Sequence, residues 1–336
     1  MNLEIFDQAI PMTRNKCFRT IRFAAILCVP VLGSLSAQAA GYPERPIRYV
    51  VAFGPGGLND VVGRVFCQKL AESWGQSVIV DNRPGAGGNV GADLVARSAP
   101  DGYTMLSIST AHAIGQTLYQ KLNYSLERDL LPVAILGSSP LMMVVNAGVP
   151  VKTVPDLVTW AKSNRAAYAS GGVGVISHLS MEMFKQAANI DLTHVPYKGG
   201  GPALIDLLAG QVQVHTNDIG LVLSGVRAGK LRAIGMMTEK RHPLQPDLPT
   251  FIEQGYREFV MGNWIGVVVP TGTPRPTVNK LAAEFSRIAR LPDVVQRFAE
   301  QGFDTSGGTA EAAAALVKKE TLRFGAAVRA SGAKVE

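Results

Sequence analysis

Short apolar and β-branched runs alternate along this chain with longer segments whose apolar residues recur at helical spacing. The first part predicts strands at 47–53, 77–82 and 103–110, with helices at 58–73 and 89–98 between them. Alternation of strands and helices is typical of a parallel sheet that is covered by helices. The chain is therefore predicted to be an α/β protein.

A second alternation follows two strand-like runs within 131–147. Its predicted elements are a helix at 156–164, a strand at 166–171, a helix at 177–189, a strand at 193–199, a helix at 202–209, a strand at 211–218, a short helix, a strand at 231–238, a returning strand at 262–270, and amphipathic helices at 276–290 and 309–328. This order predicts two βα lobes joined by crossover strands. Residues 40–142 and 264–336 are assigned to lobe 1, and residues 143–263 to lobe 2.

The N-terminal segment has the three parts of a secretory signal. Basic residues within 14–22 precede the apolar run 23–35, and Ala37-Gln38-Ala39 fits the small-x-small cleavage pattern. The predicted signal covers residues 1–39, and the acidic start makes Met12 the expected initiator. Cys28 follows a leucine instead of a small residue, so no lipid anchor is expected. The alternative for this segment is a buried N-terminal helix.

Composition narrows the classes of protein further. The chain has 336 residues, of which 47% are hydrophobic, and this is enough for a large core in two lobes. Its net charge of +7 is spread over the chain, without the basic and aromatic stripe that nucleic-acid binding requires. Cys67 alone remains after the signal is removed, so no disulfide is expected. With no later apolar stretch long enough to span a bilayer, we expect an exported, periplasmic protein.

Motifs for catalysis and cofactors are missing or misplaced. The histidines lie far apart in sequence and form no metal-binding pair. The glycines of "GAGGNVG" (85–91) follow the second strand, whereas a dinucleotide-binding turn follows the first. No G-x-S-x-G nucleophile motif is present. We expect no catalytic residue, metal or cofactor; the enzymatic alternative is a secreted hydrolase or transferase that uses His178 and Asp218.

Two glycine-rich turns between a strand and a helix carry the candidate chemistry. In "VVAFGPGGLNDVVGRVF" (50–66), the backbone N–H groups of residues 56–60 are predicted to point outward beside a helix start. The stretch "YASGGVGVISHLSMEMF" (168–184) contains a comparable turn, with Ser177 as the helix cap. Free N–H groups and the positive end of a helix form a site for an anion such as a carboxylate. The alternative is a pair of ordinary βα connections.

If these turns bind a carboxylate, a bulky β-branched residue at Gly57 or Gly174 should abolish binding. We expect such a change to leave the unfolding temperature near that of the wild type, because the residues lie in turns.

Long segments of the chain resemble a known family. They are "YPERPIRYVVAFGPGGLNDVVGR", "VIVDNRPGAGGNVGADLVARSAPDGYTML", "HVPYKGGGPALIDLLAGQV", "VRAGKLRAIG" and "GVVVPTGTP". In this order they resemble the solute-binding proteins of tripartite tricarboxylate transporters, the Bug family. The resemblance covers nearly all of the chain that follows the signal.

The resemblance implies a two-lobed, type II "Venus flytrap" fold with two mixed, mostly parallel sheets joined by crossover strands. It implies capture of a small organic acid, such as a di- or tricarboxylate or an aromatic carboxylate, and its delivery to a permease with one large and one small membrane subunit. In the family, main-chain amides of the two loops and ordered waters hold a carboxylate. We expect a monomer that is not an enzyme and needs no cofactor; a receptor that acts on a signalling partner is the alternative.

The resemblance also implies a set of binding residues. They are Phe53, Pro55, Gly56, Gly57, Leu58, Asn59, Asp60, Thr110, Ala111, Gly172, Val173, Gly174, Val175, Ile176, His178, Asn217, Asp218 and Trp264. Trp264 is expected to wall the distal end of the cleft. Val175 stands where the family usually has Ser or Thr, and Gln213 and Asn217 stand where relatives often have acidic residues. These departures predict a less cationic or more apolar ligand tail.

Overall fold

The structure is a computed structural model that describes residues 41–331. The predicted signal at 1–39 and its alternatives therefore lie outside the described residues. None of the described helices combines the length and the apolar character needed to cross a membrane.

Lobe 1 opens with the predicted alternation of strands and helices. The elements are β1 Ile47–Val51, α1 Leu58–Trp74, β2 Val78–Asn82, a 3-10 turn Ala86–Gly88, α2 Asn89–Ala96, β3 Thr104–Ser109 and α3 Thr110–Leu118. The strand predicted to reach residue 110 ends at Ser109, and α3 begins there without having been predicted. Ser109 and His112 form a reciprocal capping box, which starts this helix directly after the strand.

Lobe 2 is entered through one long strand, although two separate runs were expected at 131–147. The elements are β4 Leu130–Asn146, α4 Val154–Ser163, β5 Ala167–Ser170, α5 Ile176–Ala188, β6 Thr193–Pro196, α6 Gly200–Leu208, β7 Val214–Asp218, α7 Ile219–Arg227 and β8 Leu231–Met236. All of the helices and strands predicted in this part are present, with ends shifted by a few residues.

The chain then returns to lobe 1. The elements are β9 Gly262–Pro270, α8 Arg275–Ile288, α9 Pro292–Ala299, β10 Asp304–Thr305 and α10 Ala310–Ser331. The returning strand was predicted at the right position, whereas α9 and β10 were not predicted. Helix α10 packs on α3 of lobe 1 and on α5 of lobe 2, so it is shared by the two halves.

The two lobes each contain one mixed sheet. The strand order is β2-β1-β3-β9-β4 in lobe 1, where β10 also pairs with β4, and β8-β4-β7-β5-β6 in lobe 2. Pairing is parallel between β1, β2 and β3 and between β5, β6 and β7. Every described pair that contains β4 or β9 is antiparallel. The sheets are therefore parallel only in their outer halves, not mostly parallel as expected, because β4 and β9 enter them in the reverse direction.

Two crossings connect the lobes side by side. Strand β4 pairs with β9 up to Pro140 and with β7 from Leu141 onward. Leu141 donates to the carbonyl of Met261 at 3.2 Å and accepts from the N–H of Met237 at 2.9 Å. The chain thus leaves and re-enters lobe 1 through hydrogen-bonded neighbours. The lobe boundaries predicted after residues 142 and 263 lie beside these crossings and stay a prediction.

An aromatic cluster fixes α5, whose first residues lie at the interlobe cleft. The ring of Phe184 meets those of Phe251, Tyr256 and Phe259 at centroid separations of 5.7, 5.3 and 6.1 Å, all edge to face. Phe184 and Phe251 are fully buried. This packing holds the helix, and with it the cleft-facing loop, against the body of lobe 2.

We expect Phe184→Ala to lower the free energy of unfolding by about 3–5 kcal/mol, because it empties the centre of this cluster. Urea denaturation followed by circular dichroism measures the change. Leu322→Ala is the control, since Leu322 is 67% exposed. Equal stability losses in the two variants would contradict the role given to the cluster.

Candidate functional site

A cavity of about 60 Å³ lies between the lobes, at the carboxyl ends of the parallel strands. Its walls are Phe53, Gly57, Leu58, Asn59, Ser109, Ala111, Leu141, Gly171, Val175, Ile176, Ser177, Gly199, Gly200, Asn217, Asp218, Leu221 and Asn263. The N-cap residues of five helices are among them, namely Gly57 of α1, Ser109 of α3, Val175 of α5, Gly199 of α6 and Asp218 of α7. Five helix starts, two from lobe 1 and three from lobe 2, therefore converge on one cavity.

The first N–H groups of a helix have no intrahelical acceptor. Some of these N–H groups belong to residues that line the cavity, and they have no other hydrogen-bond acceptor in the described part of the chain. They are the N–H groups of Leu58, Asn59, Ala111, Ile176, Ser177 and Gly200. Each helix start adds a partial positive charge of roughly half a proton. The described walls contain no Lys, Arg or His side chain. The field that favours an anion here comes from the backbone.

Asp60 shapes the first glycine turn from behind. Its carboxylate accepts from the N–H of Gly56 at 3.0 Å, from Arg64 Nε at 3.0 Å and from Asn82 Nδ2 at 2.9 Å. Burial raises the pKa of Asp60, but the hydrogen bonds from Arg64, Gly56 and Asn82 outweigh burial and hold the pKa below its usual range. Gly56 has a φ of +79°, which suits glycine. Asp60 is thus a support for the loop and does not line the cavity.

The predicted outward amides of residues 56–60 are therefore reduced to a shorter set. The N–H of Gly56 is taken by Asp60, and that of Asp60 donates to the carbonyl of Gly57 at 3.0 Å. Pro55 is also absent from the cavity walls, and its carbonyl faces Gly201 of lobe 2. Gly57, Leu58 and Asn59 remain at the cavity.

The second glycine turn is tied down in the same way. The N–H of Gly171 donates to Ser177 Oγ at 3.1 Å, that of Gly172 to Ser170 Oγ at 3.2 Å, and that of Gly174 to His178 Nδ1 at 3.3 Å. Four residues of this turn that were predicted to bind the ligand are not among the cavity walls, namely Gly172, Val173, Gly174 and His178. Val175, Ile176 and Ser177 line the cavity in their place.

Gly174 cannot tolerate the substitution that the sequence suggested. Its φ is +83°, and a Cβ there would meet Leu118 Cδ2 at 3.0 Å and Tyr119 Cε2 at 3.1 Å. A β-branched residue would be strained in this conformation and would also clash. The expectation of near-wild-type stability at Gly174 is therefore wrong. Gly57 differs, because its φ is −81° and a Cβ there would find nothing closer than Gly54 O at 3.8 Å.

Stacked rings support the second turn. The imidazoles of His178 and His194 lie 4.3 Å apart, and His194 stacks in turn on Tyr168 at 4.8 Å. His194 Nε2 lies 2.6 Å from Ser170 Oγ, which also bonds the backbone of Gly172. Burial lowers the pKa of His194 to about 4 and also lowers that of His178. Both rings are therefore neutral near pH 7. A neutral His178 is also needed for the hydrogen bond that its Nδ1 accepts from the N–H of Gly174.

Two further predicted residues lie near the cavity without lining it. Thr110 Oγ1 donates to Asn263 Oδ1 at 2.8 Å and accepts from the N–H of Trp264 at 3.1 Å. Thr110 thereby orients Asn263, which is a wall residue that the sequence did not suggest. Trp264 is not among the walls of this cavity; like Asn263, it lines a second cavity that also includes Ser139 and Glu320. Alternation along β9 turns Asn263 and Trp264 to opposite faces of the strand.

A third glycine turn at the cavity was not predicted from the sequence. Gly199 and Gly200 begin α6 directly after β6, and Gly199 has a φ of +129°. A Cβ on Gly54 would meet the Lys198 carbonyl at 2.6 Å, so the turns of the two lobes approach closely. The signal was present in "YKGGGPAL" (197–204), which has the same order of strand, glycines and helix as the other two turns.

Asp218 is the one ionisable side chain on the described walls. It is 5% exposed, and its Oδ1 has no hydrogen-bond partner. Burial raises its pKa to about 7, against a smaller opposing effect of Asn263. No group of His, Cys, Asp or Glu in the described chain has the arrangement of a metal site.

The fold and the cavity together define a two-lobed α/β binding protein whose cleft suits an anion. Residues 62–333 match the model of a protein family described as "Tripartite tricarboxylate transporter family receptor", and the chain belongs to this family. It is 38% identical over 305 residues to a UPF0065 protein from the tcbD-tcbE intergenic region of Pseudomonas sp. (strain P51), covering 90% of this chain and 91% of that protein.

Solved structures agree with this assignment. The periplasmic binding protein BugD superposes with a TM-score of 0.84 and 31% identity, covering 88% of this chain and 100% of that one. MatC (Rpa3494) from Rhodopseudomonas palustris, solved with bound malate, gives a TM-score of 0.81 and 32% identity over 85% of this chain and 100% of that one. The chain is a periplasmic solute-binding receptor and not an enzyme. The predicted family and the two-lobed fold are confirmed.

The buried histidines predict how stability changes with pH. Burial lowers the pKa values of His112, His194 and His215 to about 4, whereas an unfolded chain titrates near about 6.5. The contribution of these histidines to the free energy of unfolding is complete above the pKa of the unfolded chain. It is lost as the pH falls toward 4, because the unfolded state takes up protons first. Asp218 acts in the opposite direction, since its pKa is raised to about 7, and it offsets one of the three.

We therefore expect a lower free energy of unfolding at pH 5 than at pH 7. Denaturant titrations at half-unit pH intervals measure this change. His194→Gln should reduce the slope of the free energy of unfolding against pH by up to about 1.4 kcal/mol per pH unit, which corresponds to the uptake of one proton on unfolding. A stability that rises from pH 7 to pH 5 would contradict the neutral, buried state of these rings.

Proposed function

We propose that this receptor captures a small organic acid by its carboxylate between the lobes and delivers it to a tripartite tricarboxylate-type permease. The observation that carries the proposal is the convergence of five helix starts on a cavity without a cationic side chain. Backbone N–H groups at helix starts bind anions through hydrogen bonds and through the helix dipole. The malate named for MatC is a small carboxylate of this kind.

The carboxylate is held from both lobes. The N–H groups of Leu58 and Asn59 approach it from lobe 1, and those of Ile176, Ser177 and Gly200 from lobe 2. These groups are fixed by their helices, so binding needs little reorganisation. The apolar side chains of Phe53 and Val175 keep water out of the same cavity. Val175 brings no hydroxyl, so backbone N–H groups supply the hydrogen bonds at that helix start.

Closure follows from the position of the ligand. A carboxylate that bridges both sets of N–H groups makes all of its contacts only when the lobes are together, so it shifts the population toward the closed form. The hinge consists of the paired crossings at Leu141 and Met261. Opening there separates the turns around Gly54 and Lys198, which meet at the mouth of the cleft.

The remaining parts of the proposal concern the cell. A signal over residues 1–39 exports the chain, and the mature receptor acts as a monomer without a lipid anchor or a cofactor. Its partners are the large and small membrane subunits of the permease. The family to which the chain belongs supports this assignment.

A thermal-shift screen tests the ligand class. Aliphatic and aromatic mono-, di- and tricarboxylates are compared with the corresponding amides, which lack the charge. We expect at least one acid to stabilise the protein, by about 2.7 kcal/mol at a hundredfold excess over its dissociation constant, because it binds only the native state. No shift with any acid, or equal shifts with acids and amides, would refute a carboxylate receptor.

Gly57→Val tests the role of the helix starts. A Cβ at this position meets no protein atom closer than Gly54 O at 3.8 Å, and the side chain is added at the cavity wall beside the first N–H groups of α1. We expect affinity for the best acid to fall more than about a hundredfold, as for loss of charge-assisted hydrogen bonds. The unfolding temperature without ligand should stay near that of the wild type. Ala315→Val, on an exposed position of α10, is the control, and unchanged affinity in Gly57→Val would contradict the proposed site.

A further inference from the structure

Asp218 is a buried acid whose carboxylate is only partly hydrogen-bonded within the described protein. It lies at the end of β7 and is the N-cap residue of α7, yet its side chain makes no capping hydrogen bond. Its Oδ1 has no partner, although the residue is 5% exposed and lines the cavity. Buried carboxylate oxygens are normally paired, because burying an unpaired one costs free energy. Neither burial in a core nor capping accounts for this side chain.

The neighbours of Asp218 are satisfied by other groups. Asn217 Oδ1 accepts from the backbone N–H of Asp218 at 2.9 Å, and Asn217 Nδ2 lies 2.9 Å from His215 Nε2. Asn263 hydrogen-bonds the Asp218 carboxylate, while its own Oδ1 accepts from Thr110 Oγ1 at 2.8 Å. No Lys or Arg lines the cavity to pair with the carboxylate. One oxygen of this cavity-lining acid therefore has no hydrogen-bond donor within the described protein.

An acceptor is unexpected in a cavity that otherwise presents donors. The N–H groups of five helix starts suit the anionic end of a ligand, whereas an acidic oxygen repels a second anion and accepts hydrogen bonds. A ligand that satisfies both must carry a donor close to its carboxylate. A hydroxyl and an ammonium group share this property, and a plain alkyl acid lacks it.

We infer that Asp218 accepts a hydrogen bond from a hydroxyl or ammonium group of the bound acid, and so selects hydroxy or amino acids over plain carboxylates of the same length. The inference rests on the proposed carboxylate receptor and specifies its substrate class. Asn263, oriented by Thr110, holds the Asp218 carboxylate in place from lobe 1. Selection of this kind is strong, because the analogue without the donor leaves a buried polar group unpaired.

Calorimetric titration of matched acids tests the inference. The sets are propionate, lactate and alanine; succinate, malate and aspartate; glutarate, 2-hydroxyglutarate and glutamate. In the wild type we expect the hydroxy or amino member of at least one set to bind about tenfold or more tighter than the plain acid. Asp218→Asn should remove most of this preference, because it lowers the affinity for the hydroxy or amino member more than the affinity for the plain acid. A larger loss for the amino than for the hydroxy member identifies ammonium as the donor, and a larger loss for the hydroxy member identifies the hydroxyl.

Controls separate the possible outcomes. Asp293→Asn makes the same charge change on exposed α9, where Asp293 pairs with Lys69, and should keep the preference. Asp218→Leu supplies an uncharged side chain of similar size should the asparagine variant fold poorly. Wild-type binding without a preference, or a preference that survives in both Asp218 variants, overturns the inference while the carboxylate receptor stands. Failure of every acid to bind the wild type overturns both.

Discussion

The molecule is organised around backbone N–H groups that have no acceptor within their own helices. Such groups occur at every helix start and are usually satisfied by water or by a capping side chain. Here five helix starts face one cavity between the lobes, and the N–H groups of residues such as Leu58 and Ile176 have no partner in the described protein. In the proposed function, a carboxylate that enters the cavity supplies the missing acceptors. The same requirement that governs helix capping therefore becomes the binding interaction.

The sheet topology makes this convergence possible. Parallel strands place all of their following helices at one edge, so β1 and β3 in lobe 1 and β5, β6 and β7 in lobe 2 direct their helix starts to a common face. The antiparallel strands β4 and β9 carry the chain between the lobes. These crossings are hydrogen-bonded neighbours, so the proposed closure would rotate the lobes about them and keep both sheets intact.

Side chains in the two turns mainly direct the backbone. Asp60 takes the N–H of Gly56, and Ser177 and His178 take those of Gly171 and Gly174, so only the amides next to the cavity stay free. Asp218 is the exception, because it lines the cavity and one oxygen of its carboxylate has no partner in the described protein. In the proposed receptor, the general affinity for an anion comes from backbone geometry, and the choice among acids comes from Asp218.

The sequence alone determined the local features, because these depend on neighbouring residues. Alternating apolar periodicity predicted the strands and helices of both lobes, and glycines between a strand and a helix marked two of the helix starts at the cavity. A third turn at Gly199 followed the same rule and was overlooked, and α3 was missed because its Ser109 cap follows a strand without a break.

Only the tertiary structure decided which groups face the ligand. The inward turn of the Gly56 amide depends on Asp60, whose carboxylate is held by Asn82 from another strand. Asn263 lines the cavity in place of the predicted Trp264. Its position there depends on the register of β9 and on the hydrogen bond that Asn263 accepts from Thr110, which is distant in sequence. The direction of an amide or a side chain is set by such long-range packing, and no local pattern of residues contains it.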